Sequence, residues 1–182
     1  LGFFSDVQFR VEKMLDGVNL IFEVFENPIF KDFEIKGLTQ LDPDVLTAYF
    51  TQKPGAVFNA AVFYQDLSRA LKSIQEKQGL FIRPKSNGAI QISEQGTVQL
   101  QLMEMKFGKI RITGLTKTKE FVVRRELSCA EGEIINLQTL FKEDLPRVMR
   151  LRLFDGINPI FEPGLLPETL DLTLDITEST KT

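Results

Sequence analysis

The chain has 182 residues, 43% of them hydrophobic, with 22 basic and 25 acidic side chains and a net charge of −3. That balance offers no basic field to nucleic acid or to an anionic membrane surface, and no apolar run approaches the length of a bilayer-spanning helix. Histidine is absent, which removes the usual neutral-pH acid–base group and the commonest metal ligand, and the one cysteine, Cys129, excludes an internal disulfide framework or a cysteine metal cluster.

In chain order the pattern opens with two strands, at residues 4–12 and 18–25. Residues 30–36 alternate and stop at Gly37, which predicts a short strand. Asp42-Pro43-Asp44 opens a helix running to about Gln52: Asp42 can accept from free first-turn amides, Pro43 suits the first helical position, and Val45, Leu46, Tyr49 and Phe50 share one face. Lys53-Pro54-Gly55 stops it. Asn59 caps a second, longer helix with Phe63, Leu67, Ala70, Leu71 and Ile74 on its buried face, ended by Gly79. Strands follow at 80–93 and 97–105. In the last, Val98, Leu100 and Leu102 point one way and Gln99, Gln101 and Met103 the other.

The order then recurs. Residues 109–113 form a strand. Thr118 opens a helix carrying Phe121, Val122 and Leu127, and Asn136 caps the next one. Pro146 falls about ten residues into that helix, where it removes an amide and crowds the preceding turn, so a kink or break is expected there, with Asp144 capping the continuation. Strands at 157–161 and 170–177 close the unit around a loop rich in Pro and Gly.

The recurrence has a period of 77 residues: Gly2, Gly79 and Gly156, Gly37 and Gly114, Gly55 and Gly132, and Asn59 and Asn136 all keep it. Phe33 and Ile35 match Ile110 and Ile112; Val57-Phe58 match Ile134-Ile135; Phe63, Leu71 and Ile74 match Leu140, Val148 and Leu151. Near each unit's end the offset changes. Val98, Leu100, Leu102 and Glu104 match Leu172, Leu174, Ile176 and Glu178 at 74, and Leu20, Phe22, Val24 and Glu26 at 78. Loops just before the closing strand therefore differ in length, where change is cheap. The expected fold is α+β: tandem β-α-α-β-β modules, each a three-stranded mixed sheet covered on one face by two helices. The expected domains are 27–104 and 105–182, preceded at 1–26 by the closing hairpin of an earlier module. Leu1 is not a natural start, and an excised or cleaved piece is expected. In such a hairpin Val7, Phe9, Phe22 and Val24 would lie exposed.

Most of these residues read as structure. The glycines fit chain reversals; the Phe stripes fit cores; Glu26, Glu104 and Glu178 fit solvated strand ends better than paired catalytic carboxylates. Lys117, Lys119, Arg124 and Arg125 fit the exposed side of a helix, and Cys129 a small packing residue. No phosphate loop, serine nucleophile motif or metal-ligand cluster is present. No catalytic, cofactor-binding or metal-binding residue is assigned, and an enzyme is not expected.

Several segments together resemble the POTRA (polypeptide-transport-associated) domain. Gly-Phe-Phe-Ser-Asp-Val at 2–7 is similar to its passage from second helix to second strand, and Leu-Ile-Phe-Glu-Val-Phe-Glu-Asn-Pro at 20–28 to its closing strand and acidic exit. Phe-Glu-Ile-Lys-Gly at 33–37 and Ile-Arg-Ile-Thr-Gly at 110–114 resemble its first strand. Pro-Gly-Ala-Val-Phe-Asn at 54–59 and Glu-Gly-Glu-Ile-Ile-Asn at 131–136 resemble its lead into the second helix. Tandem arrays of this kind resemble the periplasmic part of BamA-type outer-membrane assembly factors, in the surface antigen and TpsB-like superfamily, with relatives in two-partner secretion and chloroplast import. The departures are Pro146 and the Pro-rich hairpin at 159–167.

The resemblance implies a periplasmic array on an outer-membrane protein, handling unfolded outer-membrane proteins or secreted polypeptides, with its own C-terminal β-barrel beyond this segment and accessory lipoproteins as possible partners. It implies no nucleic acid, no cofactor and no membrane span within this segment. The second strand of each module should be a sheet edge, to which an extended client can add through its backbone. The candidate edge is Leu80, Phe81, Ile82, Ala89, Ile90, Gln91 and Ile92. Pro84, Pro159 and Pro163 on or near these edges are guards against pairing, most strongly at 157–162. The alternative is a structural spacer or partner-docking array of a secretion transporter or division protein.

Overall fold

Two long strands open the chain: β1 (Phe4–Met14) and β2 (Gly17–Glu26), an antiparallel hairpin in register from Val7 opposite Val24 to Met14 opposite Gly17. The structure, a computed structural model, describes residues 2–86 and 88–180. Alternation puts Val7, Phe9, Val11, Leu20, Phe22 and Val24 on one face of the hairpin. That face has no cover: Phe9 is 70% and Phe22 60% exposed.

Next come β3 (Asp32–Lys36), α1 (Pro43–Thr47), α2 (Ala60–Gln78), β4 (Ile82–Pro84), β5 (Ile90–Ile92) and β6 (Thr97–Glu104). β6 is central. β3 pairs with it in parallel, and β4 and β5 pair antiparallel along its other side. Its alternation decides which face is covered: Val98, Leu100 and Leu102 are fully buried under the helices, while Gln99 and Gln101 face out. The expected caps are in place. Asp42 accepts from the Asp44 amide, with Pro43 at the first helical position, and Asn59 Oδ1 accepts from the Val62 amide at 3.2 Å. α1 is shorter than its apolar spacing predicts: after Thr47 the chain leaves the helix, Tyr49 meeting Ser73 of α2 and Phe50 turning in to the sheet. Phe50 stacks on Phe63 at 5.1 Å and on Phe33 at 4.5 Å. Along α2, Phe63, Leu67, Ala70 and Ile74 are buried, and so is Asp66, whose carboxylate accepts from the Thr51 amide and hydroxyl and pairs with Arg69.

The second unit repeats the plan: β7 (Lys106–Thr113), α3 (Glu120–Arg124), a helix from α4 (Leu137–Thr139) through a π-helical turn at Leu140–Asp144 into α5 (Leu145–Arg150), then β8 (Phe154–Pro163) and β9 (Thr169–Glu178). β9 is central, parallel to β7 and antiparallel to β8. Its core is mainly aliphatic, built on Val123, Leu140, Val148, Leu172 and Leu174 with Phe107 and Phe154. In α3 Val123 is buried, while Phe121 is 60% exposed.

Pro146 does not break its helix, which runs on from Leu137 to Arg150. The chain widens into a π turn just before it, which absorbs the missing amide and gives the ring room. The expected cap by Asp144 is also not found. Asp144 is fully buried and accepts from Ser128 Oγ at 2.7 Å and from the Arg147 guanidinium, repeating Thr51–Asp66–Arg69 in the first unit. Asn59 and Asn136 are 77 apart, but Asp66 and Asp144, and Arg69 and Arg147, are 78 apart. The π turn is one inserted residue. It therefore aligns Ala70 with Val148, correcting the match of Leu71 to Val148.

The units meet through a joint that occurs twice. Gly79 ends α2 at φ +75°, and its carbonyl accepts from the Leu137 amide at 2.8 Å, while Asn136 Nδ2 donates to Gln78 O. At the other end, Gly2 O accepts from the Ala60 amide at 2.8 Å and from Asn27 Nδ2. A Cβ on Gly2 would strike Asn59 and Ala61, and one on Gly79 would strike Asn136 and Gln138. Gly37 and Gly114 also keep the period for a steric reason, since each sits against a carbonyl of the central strand, Leu102 O and Ile176 O. Gly55 and Gly132 share positive φ in open space. Gly156 does not belong to the series. It lies inside β8 with open space around it, because the second unit's long helix ends sooner, at Arg150, and the left-handed position falls on Arg152 at φ +58°.

Candidate functional site: the free sheet edges

The strand expected at 80–93 is interrupted. Lys85 N donates to Gln101 O and Gln101 N donates to Ala89 O, so one residue of β6 spans the whole excursion between Lys85 and Ala89. Antiparallel pairs alternate between bonded and open. Ser93 N donates to Thr97 O, so Gln91 is bonded inward to Gln99 while Ile90 and Ile92 turn N–H and C=O outward. Met105 N donates to Phe81 O, so Arg83 is bonded inward, and Ile82 and Pro84 face out. Of the candidate edge residues, then, Ile82, Ile90 and Ile92 turn both backbone groups away from β6, Ile90 and Ile92 at half-buried positions and Ile82 at a buried one. Gln91 and Ala89 spend theirs on β6 and the local turn. Leu80 is buried and bridges Asn136 in the joint, and Phe81 packs against the second core.

β8 is the continuous edge. Gly164 N donates to Thr169 O, so in the β8–β9 register Glu162, Ile160 and Asn158 bond inward, and Ile157, Pro159, Phe161 and Pro163 face out. Both prolines of this strand occupy outward positions, where the missing N–H takes no bond from the ladder; Pro84 does the same on β4. Ile157 and Phe161 remain as the β8 positions in this run with both donor and acceptor outward. The prolines were legible in sequence as guards; their parity, which marks 157 and 161 as open, was not.

β7 is closed at its centre. Ile110 N donates to Glu131 Oε1 at 3.0 Å, and Ile110 O accepts from Arg124 at 2.9 Å. Arg124, expected as a solvated helix charge, is thus an edge plug.

Glu104 is not a solvated strand end. It is buried, and its carboxylate accepts from the amides of Thr39, Gln40 and Leu41 and from the Thr39 hydroxyl, holding the loop between β3 and α1. Burial pushes its pKa up, but the hydroxyl and amides outweigh burial and hold it below the ordinary carboxylate value. Glu178 is half-buried and does the same for Thr116, Lys117 and Thr118, and the Thr116 hydroxyl, followed by the Thr118 amide, holds its pKa far below the usual range. Burial, then Asp144, pushes the Cys129 thiol up to about 11, the state of an inert packing thiol. Among the described residues, no group of three or more carboxylate or thiol side chains is placed to hold a metal ion, and no helix is long and apolar enough to cross a membrane.

Two β-α-α-β-β units stacked end to end, each on a three-stranded mixed sheet with both helices on one face, define a tandem POTRA array. Comparison with known proteins agrees. Residues 105–179 match the POTRA family model, described as surface antigen variable number repeat. The chain is 30% identical over 136 residues to the outer membrane protein assembly factor BamA of Nitratidesulfovibrio vulgaris, covering 72% of this chain and 17% of that protein. It is 22% identical over 151 residues to BamA of Neorickettsia risticii, covering 20% of that protein. It therefore spans under a quarter of the length of these curated relatives. Among solved structures, POTRA1-3 of the periplasmic domain of Omp85 from Anabaena superposes over 99% of this chain and 77% of that one, with a TM-score of 0.82 and 25% identity. Residues 105–179 thus match the POTRA family, and the chain as a whole is similar to the POTRA domains of Omp85 and BamA-type proteins.

Proposed function

We propose that this chain is the periplasmic POTRA array of an outer-membrane β-barrel assembly or insertion factor, with modules at 27–104 and 105–182 following the end of an earlier module at 1–26. It is a scaffold, not an enzyme. It takes extended segments of unfolded outer-membrane proteins by strand addition, with affinity from the backbone and little sequence demand. The observation that carries this reading is the set of outward backbone groups at Ile82, Ile90 and Ile92, with Ile157 and Phe161 in the next module. A cavity lined by both Phe81 and Phe161 brings the approach to β4 near the end of β8.

The outward prolines Pro84, Pro159 and Pro163 support a second reading, a spacer array with edges guarded against pairing. Photo-crosslinking separates the two. A crosslinker at Gln91, exposed beside the β5 edge, should capture an unfolded outer-membrane β-barrel chain far more than one at Lys72 on the outer face of α2, and neither should capture the folded barrel. Equal yields at the two positions favour the spacer.

A further inference from the structure

The cavity between the modules, about 380 Å³, is lined by Phe81, Arg83, Leu137, Phe141, Phe161 and Leu170 among others. It sits at the low end of the ligand-pocket range of about 300–1,000 Å³. The helix and both strands β8 and β9 of one module build it together with Gln75 of α2, Phe81 and Arg83 of the other, so it exists only where the joint is formed. Three phenylalanines stand among leucine, proline, Gln75 and Arg83 in its walls, and Arg83 lies 4.8 Å over the Phe81 ring. Phe141 remains 49% exposed.

The backbone at its wall says what fits. Phe161 faces N–H and C=O outward, and its side chain lies on the helix-covered face, opposite buried Leu172. Directly opposed residues of neighbouring strands share a face. A strand added to β8 therefore projects the side chain of its Phe161-opposed residue over Phe141 and Leu137. With Pro159 and Pro163 lacking donors, full pairing is confined to Ile157 and Phe161, four residues apart, which selects a register. We propose that this joint is an anchor subsite for extended peptides, taking one aromatic side chain from the residue paired with Phe161. The proposal rests on strand addition and adds to it a register and a side-chain preference at a site shared by two modules.

The test uses the intact 182-residue chain, 15N-labelled, and two capped seven-residue probe peptides alternating threonine with valine, their central residue phenylalanine in one and serine in the other. The phenylalanine peptide should bind about tenfold tighter, as expected for burial of one aromatic side chain, with the largest amide shifts at Phe161 and Phe81. Phe141→Ser, at a half-exposed site that leaves the remaining spectrum in place, should remove that advantage. Equal binding of both peptides, with shifts at Ile90 and Ile92, overturns the anchor and leaves strand addition standing. An unchanged preference in Phe141→Ser also overturns the anchor. Binding of neither peptide overturns both.

Discussion

Gly79 and Asn136 meet where one module ends and the next begins, and the contact leaves no space for a side chain on Gly79. The same relationship holds between Gly2 and Asn59, 77 residues earlier. The period in the sequence is therefore partly the period of a joint. The glycine both ends a helix in the left-handed region and lets the next helix's Asn-capped start approach its carbonyl.

Gly79→Ala is expected to cost more than its backbone angle alone. A side chain in the left-handed region costs roughly 1–2 kcal/mol, and collision with Asn136 and Gln138 adds to it. Gly55→Ala is the matched control, also at positive φ but with open space around it. Chemical denaturation should place Gly79→Ala at least about 1 kcal/mol below Gly55→Ala. Equal losses would mean that the joint yields freely.

Glu104 and Glu178 make a pH prediction. Both carboxyls are lowered in the folded state relative to the unfolded chain. A lowered pKa gives stability that is fully present above the unfolded value, about 4.3, and is lost as pH falls through the folded value. Unfolding free energy should be flat in these two groups above about pH 5 and decline below about pH 4. Glu104→Gln should shrink the decline and lower stability at neutral pH, since an amide oxygen is a weaker partner for three amides. An acid limb unchanged in Glu104→Gln would show that the loop amides do not depend on its charge.

The π turn is expected to behave as a removable residue. Deleting Lys142 together with Pro146→Ala should let the helix close as a regular α-helix while Asp144, Leu145 and Val148 keep their places. Deleting Gln65 from regular α2 should rotate Asp66, Leu67 and Ala70 by about 100° out of the core. Circular dichroism and denaturation midpoints should show the first variant folded and the second severely destabilised. The reverse, or equal damage, contradicts the insertion.

The uncovered hairpin face predicts self-association. Leu20, Phe22 and Val24 correspond to Val98, Leu100 and Leu102, which are buried, yet all three are about half exposed or more. An isolated two-stranded hairpin is marginal in water, so this face should seek a neighbouring copy. Mass in solution should rise with concentration for the 182-residue chain and stay monomeric after deletion of residues 1–26. Two monomers would mean that the face needs no partner.

What was legible followed from local rules. The caps at Asp42, Asn59 and Asn136, the stop at Gly79 and the alternation of β6 each rest on residues a few positions apart, and the repeat doubled every such sign. What was not legible depended on distant partners. Glu104 reads as a solvated strand end until the loop 63–65 residues away closes over it. Arg124 reads as a solvated charge until β7 lies beneath it. A one-residue insertion hides in a 77-residue period, because Leu140 keeps the old offset and only Asp144 onward shifts. The second strand of each module lies at a sheet edge, but which of its residues face outward depends on hydrogen-bond parity with the central strand, which no local signal marks.

Amide hydrogen exchange on the chain, alone and with an unfolded outer-membrane β-barrel protein, tests strand capture most directly. The account predicts slowed exchange at Ile82, Ile90, Ile92, Ile157 and Phe161, whose N–H groups face outward, with Gln91 and Ile160, already bonded inward, unchanged. Protection spread over the helices, or none at the outward positions while the client stays bound, would contradict it.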